Sequence, residues 1–131
     1  MTFTVRDWMV DLIVFIDPEA SVAEALKLMR RRYIHSLIVS KSAANKEYGI
    51  VTSTDISDKI IANEMDPSRT KVRQIMTTPV LTVPAEVTLK ACAELMRQNR
   101  IHHLPVADER GEIIGMISAT DFLVAAEAMG R

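Results

Sequence analysis

Sliding the 131-residue chain along itself by 67 positions exposes the feature that most restricts how it can fold. The shift lays Val5-Arg6-Asp7-Trp8-Met9 on Val72-Arg73-Gln74-Ile75-Met76 and Leu28-Met29-Arg30 on Leu95-Met96-Arg97. It also lays Ile34-His35-Ser36-Leu37-Ile38-Val39 on Ile101-His102-His103-Leu104-Pro105-Val106. Past the next loop the second copy is one residue shorter. There Gly49-Ile-Val-Thr-Ser-Thr-Asp-Ile56 meets Gly115-Met-Ile-Ser-Ala-Thr-Asp-Phe122 at an offset of 66. Unrelated amphipathic helices match leucines and methionines, but not Arg, His, Gly and Asp in one order. The chain is a duplication, with repeats over residues 1–66 and 67–131.

Each repeat spells the same succession of elements. A short helical turn (5–9; 72–76) leads to a brief strand (14–16; 80–83). Ser21 and Thr88 then stand where N-caps are wanted, and Ser21-x-x-Glu24 is a capping box. The helices that follow run to Arg32 and Asn99, with Val22, Ala25, Leu26, Leu28 and Met29 forming an apolar stripe in the first. Two strands come next, 37–40 with 48–51 and 104–107 with 113–117, around polar loops. The loop Asp108-Glu109-Arg110-Gly111 reads as a hairpin turn. A closing helix, 54–64 or 120–129, completes a β-α-β-β-α order that occurs twice.

A unit of about 60 residues buries only about 60% of its unfolded surface and is marginal alone. Two such units gain by packing their apolar sheet faces together about a pseudo-two-fold axis. The expected fold is therefore α+β, one compact module of two halves, with the cleft between the halves as the natural ligand site. With 16 basic and 17 acidic residues the chain has a formal charge of -1. It lacks the basic excess that a nucleic-acid binder uses to displace counterions. Three Phe, two Tyr and one Trp make no stacking platform for bases. A lone Cys92 forms no internal disulfide and no Cys-based metal site. The longest apolar run, 12–16, is far short of the roughly 20 residues that span a bilayer. The N-terminus lacks a secretory pattern, so the expectation is a soluble, reduced, cytoplasmic protein bound to neither membrane nor nucleic acid.

The most informative pair of motifs is Gly49-Ile-Val-Thr52-Ser-Thr-Asp55 and Gly115-Met-Ile-Ser118-Ala-Thr-Asp121. In each, a strand opening at Gly passes into a helix, with a hydroxyl residue three positions before an aspartate. Backbone N–H groups at such a junction suit a phosphate, and the aspartate can accept hydrogen bonds from a ribose diol. The same spacing is also an ordinary capping box. Duplication alone does not explain Gly at the strand start each time, and both readings stay open.

The two β-α-β-β-α repeats, the His-x-Leu-[Pro/Ile]-Val strands and the Gly-h-h-[Ser/Thr]-x-x-Asp junctions together resemble tandem cystathionine-β-synthase (CBS) domains. The Val-Arg-x-[Trp/Ile]-Met openings and the stretch Thr78-Pro79-Val80-Leu81-Thr82-Val83 fit the same pattern. The resemblance covers essentially the whole chain and implies a stand-alone, non-catalytic regulatory module. The implied ligands are AMP, ADP, ATP or S-adenosylmethionine, held in clefts between the repeats, with no obligatory cofactor. Carried over, Asp121 would hold the ribose and Ser118 the sugar-phosphate side. Thr78, Pro79 and Val80 would border the adenine, and Ile101, His102, His103 and Leu104 would add apolar and backbone contacts. The first-copy set is Thr52 and Asp55 with Leu12, Ile13, Ile34, His35, Ser36 and Leu37. That copy has Asp11-Leu12 where the second has Thr78-Pro79, and Ile38 in place of Pro105. An acidic Asp11 disfavours a phosphate there.

The remaining residues have plainer readings beside functional ones. The histidines read as partly buried strand residues; His102 and His103, adjacent on a strand, point to opposite faces and cannot share a metal. Arg30-Arg31-Arg32 meets the negative end of a helix dipole, with a phosphate contact as the alternative. The methionines are core filler, and Cys92 is an inert buried thiol. No nucleotide-hydrolase loop, zinc-protease helix or serine-hydrolase elbow is present. The exposed faces of the closing helices, with Ile60, Ile61, Leu123, Val124 and Ala126, predict a homodimer that senses nucleotide state itself or through a regulated partner protein. The rival reading is a ligand-free oligomerisation module.

Overall fold

The computed structural model describes residues 2–130. In chain order the elements are α1 (Val5–Trp8), β1 (Phe15–Ile16), α2 (Val22–Arg32), β2 (Ser36–Val39), β3 (Gly49–Thr52) and α3 (Ser53–Asp55), which continues as a π-helix over Ile56–Ile61. Then follow α4 (Val72–Ile75), α5 (Leu89–Asn99), β4 (His103–Ala107), β5 (Ile113–Ser118) and α6 (Ala119–Met129). The two long N-caps act as the sequence predicts. Ser21 Oγ accepts the Glu24 N–H at 3.1 Å and Thr88 Oγ1 accepts the Ala91 N–H at 3.1 Å. Both helices end alike on a left-handed residue that is not glycine, Tyr33 (φ 54°) and Arg100 (φ 54°). The N–H groups of Ile34 and Ile101 then reach back to the Met29 and Met96 carbonyls, each at 3.0 Å. This closure satisfies end carbonyls and turns the chain sharply into the next strand.

Packing divides the described residues into two compact units, and the division does not follow the repeats. One unit is Val14–Val80; the other joins residues up to 13 with those from 81 onward. In the first unit β1 runs parallel to β2, with Phe15 opposite Ile38 and Ile16 opposite Val39. β2 is antiparallel to β3, and Thr77 bridges Ile50 on the far side of β3. Its core holds Ile16, Val22, Ala25, Met29, Leu37, Val39, Val51, Ile60, Val72 and Ile75. In the other unit Val83 pairs in parallel with Val106, β4 is antiparallel to β5, and Val10 bridges Met116. There the core holds Val5, Val83, Leu89, Cys92, Met96, Leu104, Val106, Ile117 and Ala125. The opening helix of each repeat therefore completes the sheet and core of the other repeat's strands. The repeats over 1–66 and 67–131 are units of sequence, whereas these two are units of packing.

Three expectations are corrected. The second-copy strand expected over 80–83 is a single bridge at Val83. The first closing helix is α-helical only over Ser53–Asp55 and then widens into the π-helix. Ile60, expected on an exposed face, is 1% exposed in the core, whereas Ile61 is 70% exposed. Successive residues on a helix point in different directions, and here Ile60 faces the core while Ile61 faces outward.

Candidate functional site

The strand-to-helix junctions are built alike. β2 and β3 pair Ser36 with Thr52, and β4 and β5 pair His103 with Ser118. The Ser53 N–H donates to the His35 carbonyl and the Ala119 N–H to the His102 carbonyl, each at 3.0 Å. Within one unit Ile34, His35, Ser36, Thr52 and Asp55 thus come together. In the other, Ile101, His102, His103, Ser118 and Asp121 do. His35 and His102 precede their strands and are exposed, against the expectation of partial burial; His103 is half-buried. Leu37 and Leu104 are fully buried in the cores, which leaves only their backbones for a ligand.

Both aspartates cap. Asp55 Oδ2 accepts the Thr52 N–H at 2.9 Å and its hydroxyl at 3.3 Å. Asp121 Oδ2 accepts the Ser118 N–H at 2.8 Å and its hydroxyl at 3.2 Å. The capping reading of the motif is therefore correct, but it consumes one carboxylate oxygen only. The second oxygen separates the copies. Asp55 Oδ1 is paired with Lys59 Nζ at 3.0 Å, and the same ammonium donates to the Ile75 carbonyl at 2.7 Å. Among the described residues nothing pairs with Asp121 Oδ1, and Asp121 is less deeply buried than Asp55.

The recurring glycines have a packing cause. A Cβ on Gly115 would stand 2.9 Å from the Val10 carbonyl oxygen and 3.1 Å from Met9 Sδ. One on Gly49 would stand 2.9 Å from Met76 Sδ and 3.2 Å from the Thr77 carbonyl oxygen. Glycine admits the bridging segment at each sheet. Gly115 does not open its strand, since β5 begins two residues earlier.

Thr78, Pro79 and Val80 belong to the unit Val14–Val80, whereas Leu12 and Ile13 belong to the other. Thr78 Oγ1 donates to the Tyr48 carbonyl at 3.2 Å and accepts from Asn45 Nδ2 at 3.1 Å. Leu12 is 66% exposed. Cys92 is buried in its core, and burial pushes its thiol pKa up, as an inert thiol requires.

Each unit also has a cavity at its junction that motif reading alone does not find. A cavity of about 850 Å³ lies between the last turns of α2, the start of α3 and Pro67-Ser68. Leu26, Lys27, Met29, Arg30, His35 and Ile56 are on its wall. The other, about 520 Å³, is lined by Met96, Arg97, Arg100, Ile101, His102 and Phe122 among others. The repeat offset is the signal that unites them, because Met29, Arg30, Ile34, His35 and Ile56 correspond to Met96, Arg97, Ile101, His102 and Phe122.

Comparison with known proteins decides the family. The CBS domain model matches residues 5–62 and again 72–128. The chain belongs to the CBS domain family. A solved hexameric CBS-CP12 protein from bloom-forming cyanobacteria superposes with a TM-score of 0.90 at 34% identity, covering 100% of this chain and 76% of that one. The CBS domain pair of protein MJ0100, solved in complex with 5′-methylthioadenosine and S-adenosyl-L-methionine, has a TM-score of 0.85 at 23% identity, covering 98% and 99%. Inosine-5′-monophosphate dehydrogenase of Korarchaeum cryptofilum is 34% identical over 120 residues, which are 92% of this chain and 22% of that enzyme. The chain spans about half or less of the length of the curated relatives it matches. The tandem pair and the α+β architecture are those of CBS domain pairs. Among the described residues no helix is long and apolar enough to cross a membrane.

Proposed function

We propose that this CBS pair is a non-catalytic regulatory module for an adenosine-containing ligand, with Asp121 holding the ribose. One observation carries the assignment: after capping its own helix, Asp121 keeps an oxygen without a partner among the described residues, whereas Asp55 has spent both of its oxygens. A carboxylate oxygen accepts from a ribose hydroxyl as a charge-assisted bond. His103 pairs with Ser118 across β4 and β5 and the His102 carbonyl accepts the Ala119 N–H, which supports placing Ser118, Ile101, His102 and His103 at the junction that carries Asp121. Thr78, Pro79 and Val80, and Leu12 and Ile13 for the first copy, enter this reading on the family resemblance alone. The complex of the MJ0100 pair with methylthioadenosine and S-adenosylmethionine supports the ligand class. Occupancy would be passed on through self-association or a regulated partner, in a cytoplasmic setting. The solvent-facing Leu123 and Val124 of α6 support a homodimer.

The test is a melting and calorimetric screen of adenosine, AMP, ADP, ATP and S-adenosylmethionine. Saturation at 100 times Kd should add about 2.7 kcal/mol, a melting shift on the order of 8–15 °C. Asp121→Ala should weaken binding at least about tenfold, and Asp55→Ala less. If Asp121→Ala lowers the melting temperature but leaves affinity intact, the aspartate only caps.

A further inference from the structure

The two junction helices fall out of register one turn past their aspartates. At the repeat offset of 66, Lys59 corresponds to Ala125 and Ile60 to Ala126. In the second copy Ala125 is the buried residue and Ala126 is exposed; in the first, Ile60 is buried and Lys59 is half-exposed. The core position has moved along by one residue. The π-helix over Ile56–Ile61 accounts for the slip. In it the Ala62 N–H donates at 3.0 Å to the Ser57 carbonyl, five residues back, and such a turn takes up one residue more than an α-turn. Ile60 thereby enters the core, and Lys59 is turned onto the aspartate four residues before it. Its ammonium is held from two sides, by Asp55 Oδ1 at 3.0 Å and by the carbonyl of buried Ile75 at 2.7 Å. Asp55 Oδ2 is already taken by the Thr52 N–H and hydroxyl. The second copy has no such group, because an alanine stands where the lysine would be.

We infer that Lys59 closes the first junction, so that the chain takes one adenosine-containing ligand, at Asp121, and that Lys59 is the residue that sets this stoichiometry. The inference rests on the adenosine reading above and deepens it from a ligand class to an occupancy. A ribose hydroxyl reaching Asp55 would have to displace an ammonium. It would exchange a bond between two ions for one between an ion and a neutral hydroxyl, and take the Lys59 donor from the Ile75 carbonyl. Space alone would give the opposite order, since the cavity at the first junction is about 850 Å³ and that at the second about 520 Å³. The first junction is therefore roomy but already satisfied. Removing the ammonium returns it to the state of the second, with one carboxylate oxygen left to accept.

The experiment counts ligands per chain by calorimetric titration of AMP, ATP and S-adenosylmethionine into the full chain. It is repeated on Lys59→Ala, which installs the second-copy residue, and on Lys59→Met, which keeps most of the stem and removes the charge. Asp121→Ala is made alone and combined with each, and melting checks that every variant is folded. The expected result is one ligand per wild-type chain, lost in Asp121→Ala, with any binding at the first junction weaker by at least about tenfold. At least one Lys59 variant binds two, and its combination with Asp121→Ala still binds one. Two ligands per wild-type chain, one lost in Asp55→Ala and one in Asp121→Ala, overturn the inference and leave the adenosine reading standing. So does a single ligand in the wild type and in both Lys59 variants. Weaker binding of the single ligand in both Lys59 variants makes the ammonium a contact, not a closure, and overturns it as well. Binding by the Lys59 variants but not by the wild type keeps the closure and removes the assignment of Asp121. No binding by any of these proteins removes both readings.

Discussion

The carbonyl oxygen of Val10 lies 2.9 Å from the position a Cβ on Gly115 would occupy, in the unit where Val10 and Met116 exchange backbone hydrogen bonds of 2.9 Å in both directions. This contact joins the opening segment of the first repeat to the sheet of the second. Gly49 and Thr77 form the counterpart, with Ile50 and Thr77 bonded both ways at 2.9 Å.

Alanine at these glycines should destabilise the fold unequally. At Gly115 the nearest atom is backbone, which cannot move without breaking the bridge to Met116. At Gly49 it is the flexible Met76 thioether, and the backbone oxygen stands at 3.2 Å. Gly115→Ala should cost about 1–3 kcal/mol and Gly49→Ala less, in denaturant titrations. Equal small losses would show that the bridging segments shift freely.

Asp55→Ala should lower stability more than Asp121→Ala. Both lose a helix cap worth about 1 kcal/mol. Asp55 is in addition only 8% exposed and holds Lys59, whose ammonium caps the Ile75 carbonyl. Melting of ligand-free proteins gives the order directly. The reverse order would mean that the Lys59 pair is screened to nothing.

Tyr33→Gly should stabilise the chain. Tyr33 is 91% exposed, so little packing is lost, and its backbone lies in the left-handed region that glycine occupies without strain. A gain of up to about 1 kcal/mol is expected, read as a higher melting temperature. A decrease would assign Tyr33 a contact in the assembled protein.

Acid should weaken the fold through three surface carboxylates. A hydrogen bond from Lys71, with Arg73 beside it, holds Glu19 below the ordinary value of 4.5, and Arg6 and Lys90 do the same for Glu86 and Glu94. A depressed folded pKa contributes stability above the unfolded value and loses it as pH falls through the folded one. Melting temperature should therefore decline below about pH 4.5, and less steeply in Glu19→Gln. All three are solvent-exposed, so the effect should be small and should shrink further in high salt. A decline unchanged in Glu19→Gln would place the acid sensitivity elsewhere.

Self-association should depend on α6. Leu123 is 72% and Val124 52% exposed on it. Leu123→Glu should move the mass in solution at micromolar concentration toward the 14.6 kDa of one chain. A wild-type chain that already runs as a monomer would remove the dimer.

Much of the local structure is legible in the residues. Ser21 and Thr88 cap as their spacing demands, and the helix ends at Arg32 and Asn99 follow from the apolar stripe. The hairpin at Asp108–Glu112 forms with Gly111 at φ 80°, and Asp108 Oδ1 accepts from the Arg110 and Glu112 N–H groups. The widened helix over Ile56–Ile61 was not legible, because a 3.6-residue period cannot distinguish α from π over six residues. The capping and ribose readings of Asp55 and Asp121 could not be separated in sequence either. Their difference lies in Lys59, which sits four residues after Asp55, where Asp121 has an alanine (Ala125).

The sequence by itself determined the duplication, visible at its offset of 67, and also the element order, the caps and the two junction motifs, which depend on residues within one or two helical turns of one another. Only the tertiary structure decided which strands the opening helices complete and why glycine recurs at 49 and 115. Those depend on Val10 meeting Met116 and Thr77 meeting Ile50. Such contacts join residues far apart in the chain and are selected by the fit of backbone to backbone, a quantity no local spacing records.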